Sequence, residues 1–570
     1  MSSARRKALW RLQKRFSPSR WRGSPRRPCS RTDPLLARNP TSAVSKRVEH
    51  LTLKDGVALA ADVYRPAGEG DWPVLLMRQP YGKEIASTVV LAHPSWYARH
   101  GYLVVVQDVR GMGASEGDFD CLRQEVSDGA ETVTWARGLD GCNGKIGLYG
   151  FSYQAITQYL ALAGGGQVDA MAPAMGSFAP ERDWAYEGGA PRYAGMVGWA
   201  LQMALLKAAH DGDRETHAAL AALSGLAETA RYLMDRPDLS HLKRWMDNLE
   251  ADWDQVSPAR LLREVSLDIP VLHTGGWYDF MLEGTLAADS AFRNASPETT
   301  HLAIGPWTHI PWNGASGSVR MPEAEAYSVD RANVAFFDFY LKGKGDPPSA
   351  LTLFDMGERA WRAYHRWPST TETTMAPCSG GLAATFANDG RLADEPGDGE
   401  DVLVSDPFRP APLVGGHAGE PAGFVDRAPA DDRSDVAVYT TAPQATPFTL
   451  CGPVRADITI STEASVFDLV ATLSLVSPTG SANVIQTGIT RTKMTGAPVS
   501  VGLRAAYVTV PAGFSLRLSL QAAAWPAFSL HAQDPASADG MNAQPQTLTI
   551  CHAASRLALS VLNEDTANGA

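Results

Sequence analysis

Lys145-Ile-Gly-Leu-Tyr-Gly-Phe-Ser152-Tyr-Gln-Ala-Ile-Thr-Gln-Tyr-Leu160 reads as a short apolar run, a Gly-x-Ser turn and an immediate helical restart. Ala155, Ile156, Tyr159 and Leu160 recur at the three- and four-residue spacing of a helix face. A strand that turns sharply into a helix lifts a serine hydroxyl out of the backbone at the top of a sheet, where a substrate carbonyl can reach it. Gly-x-Ser is a common triplet, so its meaning rests on context. The remaining chain must supply a base, an acid and oxyanion donors in a workable order.

Outward from the elbow, the chain reads as an α/β sheet. Val48-Glu-His-Leu-Thr-Leu and Val57-Ala-Leu-Ala-Ala-Asp-Val-Tyr flank Lys54-Asp55-Gly56, a hairpin pattern. Val74-Leu-Leu-Met, Tyr102-Leu-Val-Val-Val and Ile146-Gly-Leu-Tyr are apolar without alternation, as parallel strands buried on both faces are. Between them, 89–100 and 125–137 read as crossover helices. The strand pattern resumes at Val271-Leu-His and Leu302-Ala-Ile-Gly. The interruption over about 178–265 has helical periodicity in 196–209, 215–235 and 242–264, and is placed to act as a cap. Phe336-Phe-Asp-Phe-Tyr-Leu-Lys-Gly343 reads as a last helix. Residues 379–431, rich in Gly, Pro and Asp, read as a loop-heavy join. Beyond them the period changes to two, for example in Phe514-Ser-Leu-Arg-Leu-Ser-Leu520, which indicates a β-sandwich.

At 570 residues the chain is too long for one core. No apolar run is long enough for a transmembrane helix. Residues 1–40 hold twelve basic side chains against one acid, Asp33, while the whole chain carries a net charge of −11. The body is therefore acidic, which argues against nucleic acid or an anionic membrane as partner. The basic tail reads as a disordered extension. Six widely spaced cysteines without Cys-x-x-Cys suggest a reducing, cytoplasmic setting.

Downstream of Ser152, Asp279 follows the strand Val271-Leu-His-Thr-Gly-Gly-Trp-Tyr, and His309 follows Leu302-Ala-Ile-Gly-Pro-Trp-Thr. In open α/β sheets functional groups gather at the carboxyl ends of strands, and the order Ser, Asp, His is that of α/β hydrolases. A serine hydroxyl needs an imidazole to take its proton, and the imidazole needs a carboxylate to fix its tautomer. Ser152 is thus the expected nucleophile, His309 the general base and then acid, and Asp279 the orienting carboxylate. The backbone N–H of Tyr153 is one expected oxyanion donor. The hydroxyl of Tyr81, in the turn Arg78-Gln-Pro-Tyr-Gly-Lys, is a candidate for the second. This chemistry calls for no cofactor and no metal.

Asp55-Gly-Val-Ala-Leu-Ala-Ala-Asp-Val-Tyr-Arg-Pro, Arg78-Gln-Pro-Tyr-Gly-Lys, Asp108-Val-Arg-Gly-Met-Gly-Ala-Ser-Glu-Gly, Gly150-Phe-Ser-Tyr, Gly276-Trp-Tyr-Asp, Gly305-Pro-Trp-Thr-His and Trp361-Arg-Ala-Tyr-His-Arg-Trp-Pro together resemble the cocaine esterase-like hydrolases. That family also holds X-prolyl dipeptidyl peptidases, glutaryl acylases and α-amino acid ester hydrolases. The resemblance spans about residues 46–562. It implies an α/β-hydrolase domain over 45–177 and 266–352, a helical cap over 178–265 and a jelly-roll β-sandwich over 353–570, behind a basic extension over 1–44. It also implies an oxyanion role for Tyr81, and an acyl pocket formed by the cap residues Trp184 and Trp199. Asp108 and Arg110 are expected to brace loops.

Two departures stand out. Ala155 replaces a glycine common in the family, which crowds the helix against its strand. The acidic pair that binds a substrate ammonium in amino acid ester hydrolases is absent after Asp279, where Phe280, Met281 and Leu282 stand instead. Phe280 is therefore read as a pocket residue. The expected activity is cleavage of a small carboxylic ester or an amide through an acyl-enzyme. The alternatives are an X-Pro dipeptidyl peptidase or acylase, and a binding protein with a vestigial hydrolase site. Homo-oligomerisation is left open.

Overall fold

The computed structural model describes residues 44–84, 89–493, 495–530 and 544–563. The basic extension expected over 1–44 lies outside them except for Val44. Ten strands form the first sheet: β1 (Ser45–Thr52), β2 (Ala58–Arg65), β3 (Trp72–Gln79), β4 (Leu103–Asp108), β5 (Cys142–Phe151), β6 (Ala170–Ala174), β7 (Val271–Tyr278), β8 (Thr300–Thr308), β9 (Leu351–Asp355) and β10 (Ala360–Tyr364). Their order is β1-β2-β4-β3-β5-β6-β7-β8-β9-β10. β1 and β2 pair antiparallel around the Asp55-Gly56 turn, and β2 pairs antiparallel with β4. From β4 to β9 every pairing is parallel, and β10 returns antiparallel.

The period of two explains how one strand serves two cores. In β4, Val104 and Val106 face a core with Tyr97, Phe336 and Phe337, whereas Leu103 and Val105 face one with Val133, Tyr159 and Phe292. Helices therefore cover both faces: Pro94–Arg99 and Val329–Lys342 on the first, Glu125–Arg137, Tyr153–Ala163 and Leu282–Ala295 on the second.

Several elements differ from the sequence expectation. The helix expected over 89–100 is confined to Pro94–Arg99, because Pro94 is tolerated only in a first turn and His93 caps it. The segment 215–235 is two helices, Arg214–Ala222 and Leu226–Met234, interrupted before the N-capping Gly225. The segment 242–264 is three short helices: Leu242–Asp247, ended by left-handed Asn248, then Glu250–Trp253, and Pro258–Leu261, opened by a proline. The first cap helix is long, Tyr193–His210.

The first sheet runs through β10 to Tyr364 before the chain enters a second ten-stranded sheet. Its strands are β11 (Thr370–Cys378), β12 (Arg391–Ala393), β13 (Glu400–Ser405), β14 (Val436–Thr440), β15 (Phe448–Ser461), β16 (Phe467–Val476), β17 (Ala482–Thr492), β18 (Pro498–Val510), β19 (Ser515–Gln521) and β20 (Gln546–Leu562). Nine run in the order β17-β16-β19-β14-β12-β11-β20-β15-β18, and β13 pairs with β20. Leu450 and Ile458 of β15 share one core with Leu469, Leu473, Leu516 and Leu518 of β16 and β19, so the sheet is a β-sandwich. The region 379–431 is not merely a join. It supplies β12 and β13, and in β13 buried Asp401 and Leu403 alternate with exposed Val402 and Val404. Among the described residues no helix is long and apolar enough to cross a membrane.

Candidate active site

β5 ends at Phe151, Ser152 takes φ 60° and ψ −127°, and the next helix starts at Tyr153. A positive φ on a residue with a Cβ is strained by roughly 1–3 kcal/mol, a strain characteristic of functional turns. Gly150 makes the turn possible: at φ 140° a side chain there would sit 2.6 Å from the Cβ of Gln154. The Ala155 methyl is accommodated by Gly176, whose own Cβ would lie 2.7 Å from that of Ala155. The crowding expected at Ala155 is thus relieved on the facing segment.

The ends of β7 and β8 bring the other two candidates to Ser152. His309 Nε2 lies 2.9 Å from Ser152 Oγ, and His309 Nδ1 lies 2.7 Å from Asp279 Oδ1. Asp279 is fully buried and the His309 side chain 17% exposed. With Nδ1 facing an acceptor-only carboxylate, the imidazole carries its proton there and leaves Nε2 free to accept one. The ring packs against Phe280 at 4.5 Å and Phe151 at 5.7 Å between centroids, and the indole of Trp312 donates to the His309 carbonyl at 2.9 Å.

Tyr81 sits in the turn after β3. Its backbone N–H donates to Gln79 Oε1 at 2.8 Å, and the Lys83 N–H donates to Asp108 at 2.6 Å. Its hydroxyl meets the Ser152 side chain and accepts from the Trp199 indole N–H at 3.2 Å. Burial pushes the Tyr81 hydroxyl well above its ordinary pKa. It therefore stays protonated, and with Trp199 on its oxygen its proton is directed elsewhere. The Tyr153 N–H belongs to the first turn of its helix, where no intrahelical acceptor exists. The Tyr153 ring is fully buried. Its hydroxyl donates to Glu125 at 3.0 Å and accepts from the Leu122 N–H at 3.1 Å, so the hydroxyl is committed, and the ring packs 6.2 Å from that of Trp199.

Trp184 and Trp199 are part of a larger aromatic wall. Trp184 lies 4.7 Å from Trp199 and 4.8 Å from Trp245, and His241 packs 4.6 Å from Trp199 and 4.7 Å from Trp245. Burial lowers the His241 pKa to about 3, so the ring is neutral at pH 7. Trp245 and His241 were not singled out by the sequence. Their four-residue spacing in a helical segment was a usable signal, but it matches ordinary helix packing equally well.

Asp108 and Arg110 stay out of the site. Asp108 accepts from Gln79 Nε2 and from the backbone of Lys83 and Ala114, and Arg110 pairs with Asp128 at 2.8 Å and Asp55 at 2.6 Å. Glu283 is exposed. Among the described residues no cluster of His, Cys, Asp or Glu is arranged to hold a metal.

The family model described as X-Pro dipeptidyl-peptidase (S15 family) matches residues 55–311. The model described as X-Pro dipeptidyl-peptidase C-terminal non-catalytic domain matches 343–537. Cocaine esterase of Rhodococcus sp. (strain MB1 Bresler) is 32% identical over 473 residues, covering 77% of this chain and 81% of the relative. An aminopeptidase structure from the marine sediment archaeon Thaumarchaeota archaeon superposes with a TM-score of 0.77 at 20% identity, over 91% of this chain and 97% of that one. An α-amino acid ester hydrolase superposes with a TM-score of 0.72 at 21% identity, over 95% and 100%. These structures share the fold, and the sequence match of matching extent shows that the chain belongs to the cocaine esterase-like family of serine hydrolases.

Proposed function

We propose that the protein is a serine esterase acting on small carboxylic esters with an uncharged, aromatic acyl group, through an acyl-enzyme on Ser152. The observation that carries this reading is the unbroken line from Asp279 through His309 to Ser152, with hydrogen bonds of 2.7 and 2.9 Å.

His309 Nε2 takes the Ser152 proton as Oγ attacks the ester carbonyl, and Asp279 stabilises the imidazolium that forms. The negative charge developing on the carbonyl oxygen falls between the Tyr81 hydroxyl and the Tyr153 N–H. His309 returns its proton to the departing alkoxide, leaving the acyl group on Ser152. A water then enters, loses a proton to His309 and attacks the acyl carbon. Collapse of that second tetrahedral species releases the acid and reprotonates Ser152. Partly exposed Trp199 and Phe280, with buried Trp184 and Trp245 packed behind Trp199, suit a flat apolar acyl group.

An X-Pro dipeptidyl peptidase needs a carboxylate for the substrate α-amine. Two acids of the cap are otherwise committed: Asp183 accepts from Ser177 and from the N–H groups of Phe178 and Ala179, and Glu187 holds two arginines. A panel of aryl esters, aryl amides and X-Pro anilides, assayed with the wild type and Ser152→Ala, tests the reading. Aryl ester turnover lost in Ser152→Ala is expected. Preferential cleavage of the X-Pro anilides, or full activity in Ser152→Ala, contradicts it.

A further inference from the structure

The side chain of Asp279 has one hydrogen bond. Oδ1 meets His309, while Oδ2 is buried without a partner among the described residues. A carboxylate so lightly held takes its position from its backbone. Local turn bonds hold that backbone, Asp279 N–H to the Gly276 carbonyl and Leu282 N–H to the Asp279 carbonyl, and on both sides of them it is also tied to groups outside the catalytic sheet.

Gln486 of β17, fully buried, donates to the Trp277 carbonyl at 2.9 Å and to the Ala505 carbonyl at 2.8 Å. The Tyr278 hydroxyl donates to the Val484 carbonyl of the same strand at 3.0 Å. The Phe280 carbonyl accepts from Arg192 at 2.7 Å. Arg192 is held at 2.6 Å by Glu187, which also takes Arg504 of β18 at 3.2 Å and His417 Nε2 at 2.8 Å. Thr487 lies 3.1 Å from His417 Nδ1, so the hydroxyl donates to that nitrogen while Nε2–H serves Glu187. Burial works against the Glu187 charge, but His417, Arg192 and Arg504 outweigh it and hold the carboxyl well below its ordinary range. Glu187 reaches this cluster because Gly188, at φ 51°, lets the turn approach β17: a Cβ there would lie 2.0 Å from the Ile489 carbonyl.

We infer that the C-terminal β-sandwich sets the position of the catalytic carboxylate. Gln486, Tyr278 and the Arg504–Glu187–Arg192 relay act as positioning residues on 277–280. The inference rests on the reading of Ser152, His309 and Asp279 as a triad. Tethers on Trp277, Tyr278 and Phe280 bracket Asp279, and each leads to β17 or β18 or to residues they hold.

The test uses the full-length protein with Tyr278→Phe, Arg504→Met and Arg504→Lys. Ser379→Ala, a β-sandwich change away from this cluster, is the control, and Ser152→Ala is run in parallel. Aryl ester kcat is expected to fall on the order of tenfold in Tyr278→Phe and Arg504→Met with KM unchanged, since small misplacements of reacting groups are costly. The acid limb of kcat/KM should move to lower pH, because an imidazole with a poorly placed carboxylate is less basic. Arg504→Lys should recover part of the loss, and Ser379→Ala should match the wild type. Tyr278→Phe is nearly isosteric and carries the test if Arg504→Met does not fold. Wild-type kcat and acid limb in folded Tyr278→Phe and Arg504→Met overturn the inference. So does an acid limb that moves upward in Arg504→Met with kcat preserved, because loss of a cation by itself has that effect. Activity retained in Ser152→Ala overturns the triad reading instead.

Discussion

Ser152, His309 and Asp279 meet at the ends of β5, β8 and β7, and Ser379, His552 and Asp401 meet inside the β-sandwich. The side-chain types are the same and the wiring is different. In the first group the imidazole stands in the middle, 2.9 Å from the serine and 2.7 Å from the aspartate. In the second the carboxylate stands in the middle: Asp401 Oδ2 accepts from Ser379 at 2.7 Å, Tyr439 at 2.7 Å and His552 Nε2 at 2.8 Å, while Oδ1 accepts from the Ala383 N–H at 3.0 Å. A serine that donates to a carboxylate held at low pKa meets only a very weak base, and among the described residues no imidazole reaches Ser379 to activate it. His552 is fully buried, with Nδ1 unpartnered among the described residues, whereas Ser152 and His309 are partly open. Under the proposed mechanism the first arrangement moves a proton; the second ties Ser379, Ala383, Tyr439 and His552 to one anion.

The comparison can be broken or sharpened by mutation. The largest effect is expected in Ser152→Ala and His309→Ala, a loss of about 10⁶ in ester kcat, while Ser379→Ala leaves kcat unchanged; steady-state kinetics decides. Asp279→Asn is expected to cost about 10⁴ in kcat through the wrong imidazole tautomer, with the melting temperature retained, as calorimetry would check. Tyr81→Phe removes one proposed oxyanion donor and should lower kcat by about 10²–10³ with little change in KM.

Asp401→Asn should likewise leave ester kcat within about twofold while lowering unfolding stability by about 1–3 kcal/mol, the cost of disturbing a buried hub. Burial raises the Asp401 pKa, but His552, Ser379, Tyr439 and the Ala383 N–H outweigh it and hold the group at about 2. A carboxylate with a depressed folded pKa contributes stability that is complete above its unfolded pKa of about 3.9 and lost as pH falls through about 2. Urea unfolding from pH 6 to pH 2 should therefore show the gap between wild type and Asp401→Asn closing at the acid end.

Much of this is legible in the sequence. Unbroken apolar runs gave β3, β4 and β5, because strands buried on both faces need no polar alternation. The order Ser152, Asp279, His309 was readable because each residue follows such a run. The proposal of Tyr81 and the Tyr153 N–H as oxyanion donors comes only from the motifs around them. What was hidden depends on partners remote in the chain. Nothing near Arg192 indicates that its guanidinium holds the Phe280 carbonyl, and nothing near Glu187 indicates Arg504 or His417. The relief of Ala155 by Gly176 is likewise a fact of facing segments. β12 and β13 were obscured by the Gly, Pro and Asp of the loops around them.

The central claim, that Ser152 and no other serine is activated, is tested most directly by treating the native protein with a fluorophosphonate and mapping the adduct by peptide mass spectrometry. The account predicts one phosphonylated residue, Ser152, with labelling lost in His309→Ala and Ser379 unmodified. An adduct on Ser379, or undiminished labelling of the Ser152→Ala protein, would contradict it.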